Sequence, residues 1–254
     1  MSYNFMLKKS EFHRKIRKTH RWLGVVLGVQ FLFWTLGGIY FSWSNMDEVK
    51  GEDQKAIEIP LNANLNFISP KNIIDKIRLK DSAAYLIDLK IIQILNKPFY
   101  QITYSSKDIK VKKIQLADAV SGELRTTLSK NEAIAIAKKS LAKKSTIIKT
   151  EFLTATNGHH EYRKQPLPAY AVTLNPENPI TVYVASELGT VQKFRNSKWR
   201  TYDIFWMLHT MDFETRSNFS NWLLRAFSIF GLLSILSGFV LFFVSRKTKK
   251  LRVN

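Results

Sequence analysis

The chain has 254 residues with 39 Lys and Arg against 20 Asp and Glu, a formal net charge of +19, and no cysteine. Disulfides, thiolate metal centres and cysteine nucleophiles are therefore excluded, and any folded part must be held by its own apolar core. A basic excess of this size points to anionic lipid or nucleic acid, and the positions of the charges decide between them.

Residues 1–21 are a basic, helical lead-in with Lys8, Lys9, Arg14, Lys15, Arg17, Lys18 and Arg21 against the single acid Glu11. His13 and His20 are seven apart, so one helix puts them on one face. From Trp22 to Trp43 no residue is charged, and only Gln30, Thr35 and Ser42 are polar. As a helix this stretch reaches roughly 33 Å, enough to cross a hydrocarbon core of about 30 Å, with an indole at each boundary. Gly24 and Gly28, on the face of His20, form a small-xxx-small pattern that admits close approach. Asp47, Glu48, Glu52 and Asp53 follow on the far side, so the positive-inside rule leaves the amino terminus in the cytoplasm. The stretch is long for a signal-peptide core, and Phe41-Ser42-Trp43 lacks a small-x-small cleavage site, so it reads as an uncleaved anchor.

Residues 44–68 are polar, contain Pro60 and read as an irregular tether. Ser69-Pro70 opens a helix to about Lys80, and strands follow at 84–95, 99–105 and 111–118, with a turn at Ser121-Gly122. Ser129 and Glu132 form a capping box for a second helix, in which Ala133, Ile134, Ala137 and Leu141 recur at helical spacing. Strands read again at 147–155, 169–174 and 181–185, with a turn at Leu188-Gly189. A shift of 67 residues places Gly122 on Gly189, Leu124 on Val191 and Leu116 on Tyr183. The simplest account is two helix-plus-three-strand modules, at 69–127 and 128–200.

Residues 201–221 carry Tyr202, Phe205, Trp206, Leu208 and His209 at the spacing of an amphipathic helix lying on the membrane. Trp222 to Val244 is a second span, with Arg225 in its first turn and a basic stop from Arg246 to Arg252 at 245–254. Both termini are then cytoplasmic, and residues 44–221 lie outside. The tails and Arg225 account for thirteen of the basic residues, leaving 26 basic and 19 acidic residues outside, a net +7. The basic excess thus follows topology and lipid, and no nucleic-acid module is visible.

The loop between Gly158 and Pro166 holds His159-His160-Glu161, but no third and fourth metal ligand stands at fixed spacing, so it reads as a polar loop. No HExxH, GxSxG, P-loop or GxGxxG occurs. Without a flavin or nicotinamide site, any reductase role would draw electrons from a partner protein or quinone.

The opening His20-Arg21-Trp22-Leu23-Gly24, the turn Asp118-Ala-Val-Ser-Gly122-Glu-Leu, and Tyr202-Asp203-Ile-Phe-Trp-Met-Leu-His209-Thr before the last span resemble PepSY domain proteins of the PepSY-associated transmembrane family. The second repeat departs from the turn acid, with Ala185 where the first has Asp118. The resemblance implies an α+β fold in which two transmembrane helices flank two extracytoplasmic helix-plus-antiparallel-sheet modules, in a bacterial inner membrane. It implies a binding or regulatory role in an envelope or iron-uptake context, with a peptide, a periplasmic peptidase or an iron-uptake protein as partner. Larger relatives act as haem-containing ferric-siderophore reductases, which would make His20 and His209 ligands of haem b. Those two histidines stand near opposite lipid faces, so one copy cannot clamp one haem with them, whereas a homodimer could pair each with its own counterpart.

Overall fold

The computed structural model describes residues 2–250 except 63, 107 and 109, and side chains from Arg14 to Phe243 except those three and Ile16; the expectations on His13 and on the basic stop lie outside the described side chains. The elements run α1 (Ser2–Trp43), α2 (Met46–Lys50), a 3-10 turn (Glu52–Gln54), α3 (Pro70–Lys80), β1 (Tyr85–Ile94), β2 (Lys97–Ser105), β3 (Lys112–Asp118), β4 (Leu124–Arg125), α4 (Lys130–Lys139), β5 (Ile147–Leu153), β6 (Ala169–Leu174), β7 (Ile180–Ala185), β8 (Thr190–Arg195), α5 (Ser197–Thr210) and α6 (Trp222–Lys250). They form two compact units: a body of residues 45–201, and a helical unit built from α1, α6 and the segment that begins at Tyr202.

The body is α+β. Each half is a helix followed by a four-stranded antiparallel meander, ordered β1-β2-β3-β4 and β5-β6-β7-β8. The 67-residue shift is visible in the hydrogen-bond register: Ala117 pairs Leu124 in the first sheet, and Val184 pairs Val191 in the second. Entry to each helix is tied to the turn in the same way, Ile68 N donating to Ala119 O and Leu128 N to Ser186 O. The capping box at Ser129 and Glu132 forms.

The sequence reading placed three strands in each module, and the structure adds β4 and β8. In β8 a register shift opposite Tyr183 and Val184 leaves Gln192 as an extra residue, which breaks the period-two alternation by which a strand is recognised. The missing turn acid is not needed in the second repeat. Gly189 N still closes the turn on Ala185 O, and buried Ser186 donates through its hydroxyl to Pro168 O.

The two halves share one core. Ile94, Phe99 and Leu116 of the first sheet cluster with Leu128, Ala133 and Ala137 around α4 and with Val172, Val182 and Val184 of the second sheet. Gly189 marks the closest approach: a methyl group built there would stand 2.6 Å from Ile94 Cδ1, and its φ of +71° also excludes most side chains. On its other face the first sheet is covered by Ile73 and Ile77 of α3, against Tyr100 and Ile102.

Residues 46–56 depart from the irregular tether. Asn45 caps α2, Asn196 Nδ2 donates to Glu48 O, and Lys55 makes an antiparallel bridge with Leu141.

In the helical unit, α1 and α6 each contain a stretch long and apolar enough to span a membrane, Arg17–Trp43 and Trp222–Phe243. Only 11% and 6% of these stretches is buried in protein, unlike the core helix of a soluble protein, so lipid is left to cover them. The two helices meet where Gly231 admits Phe31 and Gly238 admits His20. Nothing described lies within 4 Å of a methyl built on Gly24 or Gly28, so that small-residue face is open.

Candidate functional site

The body holds a groove of about 1030 Å³. One wall is the edge of β1 at Ile91, Ile92 and Gln93, and the other is β8 from Thr190 to Arg195 with Trp199. Both are outermost strands, bonded on one side only, so each presents unpaired backbone N–H and C=O groups. Residues 56–61 line the groove without regular secondary structure, with Ile57 95% exposed and Ile59 66% exposed. The lining holds five basic side chains, Lys50, Lys55, Lys139, Lys193 and Arg195, against Glu52 and Glu58. Arg195 lies 4.0 Å above the Trp199 ring, a cation–π contact that makes a flat platform at one end. None of these residues was singled out from the sequence as part of a site, because the two walls stand about a hundred positions apart.

The loop at 156–168 has a structural use. His160 Nδ1 accepts from Tyr162 N at 3.0 Å, and Glu161 takes a bidentate bond from Arg200, with Nη2 to Oε2 at 3.0 Å. Tyr162, fully buried, stacks on Tyr183 with ring centroids 4.6 Å apart. Among the described residues no group of three or more His, Cys, Asp or Glu side chains is placed to hold a metal.

In the helical unit the aromatic face of α5 packs along α1. Tyr202 meets Phe41, and Phe205 stacks on Tyr40 at 5.0 Å beside Gly37. Gln30, the least expected residue of the apolar stretch, is buried and donates to Leu208 O at 2.9 Å. Trp34 Nε1 donates to His209 O at 2.9 Å, and Asn221 Nδ2 to Thr210 O at 2.9 Å. Three consecutive carbonyls at the end of α5, which a helix leaves without partners, are thus satisfied by side chains.

His209 is exposed and lines an apolar hollow of about 340 Å³ with Trp34, Trp206, Thr210, Phe219 and Leu224. Its ring lies nearly parallel to Trp206, 14° apart with centroids at 6.3 Å. His20 stands elsewhere, between α1 and α6, with Nδ1 2.7 Å from Ser237 Oγ. Ser237 Oγ is also 2.8 Å from Ser234 O. His20 and Trp34, the neighbour of His209, are fourteen residues apart on α1, about 21 Å along its axis. The structure does not bring the two histidines together.

Residues 3–246 match a family model described as the PepSY-associated TM region. No curated protein matches the chain. Among solved structures, the crystal structure of a candidate lipoprotein from Clostridium difficile 630 is 16% identical; the match covers 54% of this chain and all of that one, with a TM-score of 0.24.

Proposed function

The chain belongs to the PepSY-associated transmembrane family, and from that premise we propose that it is a membrane-anchored binding protein whose body captures an extended, acidic peptide segment in the groove between β1 and β8. The observation that carries this reading is the pairing of two open strand edges with a basic rim. A peptide adding as a strand gains main-chain hydrogen bonds from an edge, while its carboxylates meet the lysines. The membrane is the bacterial inner membrane. The basic residues from Lys8 to Arg21, ahead of the uncharged stretch, and those after Phe243 keep both termini inside with the body in the periplasm, where the partner is a peptide or a peptidase segment.

The test uses intact spheroplasts and a fluorescent, membrane-impermeant peptide of alternating β-branched and acidic residues. Binding is expected to spheroplasts and not to sealed inverted vesicles, and Lys139→Glu with Lys193→Glu should weaken it at least about tenfold. Equal binding to wild type and the double variant would refute the groove, and binding only to inverted vesicles would refute the orientation.

The hollow beside His209 favours a second reading, a redox subunit in iron uptake. Its aromatic lining and exposed imidazole would hold haem b through His209, with His209 of another copy as the other ligand. His20, with Nδ1 held by Ser237, would serve a different iron. Bound haem would supply one-electron transfer toward a ferric chelate. A Soret band in haem-supplemented, detergent-purified protein, lost in His209→Ala, is the expected result; no band sinks this reading and leaves the first untouched.

A further inference from the structure

We propose that β5 is a self-recognition edge, through which the body pairs with a second copy of this chain in an antiparallel strand contact centred on Thr150. β5 is the outermost strand of its sheet and bonds only to β6. Its apolar residues Ile147, Ile148 and Phe152 are exposed. A bulge that leaves Ile148 without a partner in β6 limits the regular edge to residues 149–153. Exposed apolar edges invite another strand, so what they admit must be specified.

The charges specify it. Lys149 and Glu151 lie on one face, their Nζ and Oε2 2.9 Å apart. They are 57% and 54% exposed. Residues directly opposite each other in an antiparallel pair share a face, so a two-fold axis between identical strands passes through a residue. An axis at residue 149 opposes two lysines, and one at residue 151 opposes two glutamates. Only an axis at Thr150 opposes Lys149 to Glu151, and it does so twice, with Ile148 near Phe152 and Ile147 opposite Leu153.

A further observation agrees. β1, the other first strand, carries the opposite order, Asp88-Leu89-Lys90, again with its charges paired on one face at 2.9 Å. Pairing β1 antiparallel to β5 with Leu89 opposite Thr150 would set Asp88 against Glu151 and Lys90 against Lys149. The same charges that select the self-pair therefore reject this cross-pair. β8 is at the far edge of the sheet, so this contact leaves the groove open and does not depend on what binds there.

The absence of native cysteine makes the test direct. Full-length Thr150→Cys protein in its own membranes should give a covalent dimer under mild oxidation, whereas Val120→Cys, at an exposed turn, should not. Adding Lys149→Glu or Glu151→Lys alone should reduce the Thr150→Cys dimer at least about tenfold. Co-expressing the two charge variants, or placing both changes in one chain, should restore it, which also shows that the single variants fold. No cross-link at residue 150, or equal cross-linking by all charge variants, would overturn the proposal.

Discussion

Replacing Tyr162 with alanine is expected to cost about 3–5 kcal/mol and to release the loop from 156 to 168. Tyr162 is 0% exposed, stacks on Tyr183 with 9° between the planes, and donates to Pro166 O at 2.8 Å. The other buried members of its cluster are Ala169, Ala171 and Tyr183, with Leu153 and Leu167 packed against them, so the hole is refilled only as far as those two leucines can shift. The same loop carries Glu161, whose carboxylate holds Arg200 in the first turn of α5. Urea or thermal unfolding of the full chain in detergent reads the loss, and limited proteolysis reads the loop. A melting shift below about 2 °C with an uncut loop would show that Tyr162 does not hold this region.

Tyr162→Phe separates the ring from the hydroxyl. It should cost only about 1 kcal/mol, the worth of one hydrogen bond. Burial pushes the Tyr162 hydroxyl up to about 12, and burial, then the charge of Glu161, pushes Tyr183 up as well. Since an unfolded tyrosine ionises near pH 10, the unfolded chain releases these protons first. Stability is therefore full below about pH 10 and falls as pH rises toward 12, and Tyr162→Phe should flatten part of that alkaline loss.

What could be read from the sequence was what local chemistry decides. Two long apolar stretches gave the spans, Ser129 with Glu132 gave a helix start, and the glycine turns gave a repeat that reappears as hydrogen-bond register. What could not be read depends on partners distant in the chain. Gln30 looked like a tolerated polar residue, and its role is set by Leu208 O, 178 positions away. The aromatic face of α5 suggested an interfacial helix, because periodicity tells which face is apolar and not what covers it; here α1 covers it. His20 and His209 were found by type and motif, but Ser237 beside the first and the Trp34–Phe219 hollow around the second come from α1, α6 and the segment before α6. The groove left less trace still: a bulge hid β8, and open edges are a property of sheet order.

Asp212→Ala is expected to destabilise the helical unit by about 3 kcal/mol, through donors left without an acceptor. The carboxylate is 7% exposed and organises the turn from α5 to α6. Oδ1 accepts from Glu214 N at 3.2 Å and Thr215 N at 3.0 Å; Oδ2 accepts from Ser217 N at 2.8 Å, Asn218 N at 2.7 Å and the Thr215 hydroxyl. That turn positions Arg216, which pairs with buried Asp203 and whose carbonyl accepts from Trp206 Nε1 at 3.1 Å. Trp206 in turn stacks on His209, so losing Asp212 should loosen the hollow as well as the turn. Asp212→Asn keeps one acceptor oxygen and should lose roughly half as much. Burial pushes the Asp212 carboxyl up, but the Thr215 hydroxyl and the backbone donors outweigh it and hold the group well below the usual carboxylate range. The sign follows: an unfolded aspartate takes its proton near pH 4, so this stabilisation is present above about pH 4 and is lost as pH falls toward the folded value. Tryptophan-fluorescence melts in detergent should show wild type losing stability between pH 4 and pH 2 and Asp212→Asn staying flatter there. Parallel acid profiles for the two proteins would show that the charge on Asp212 does not hold the turn.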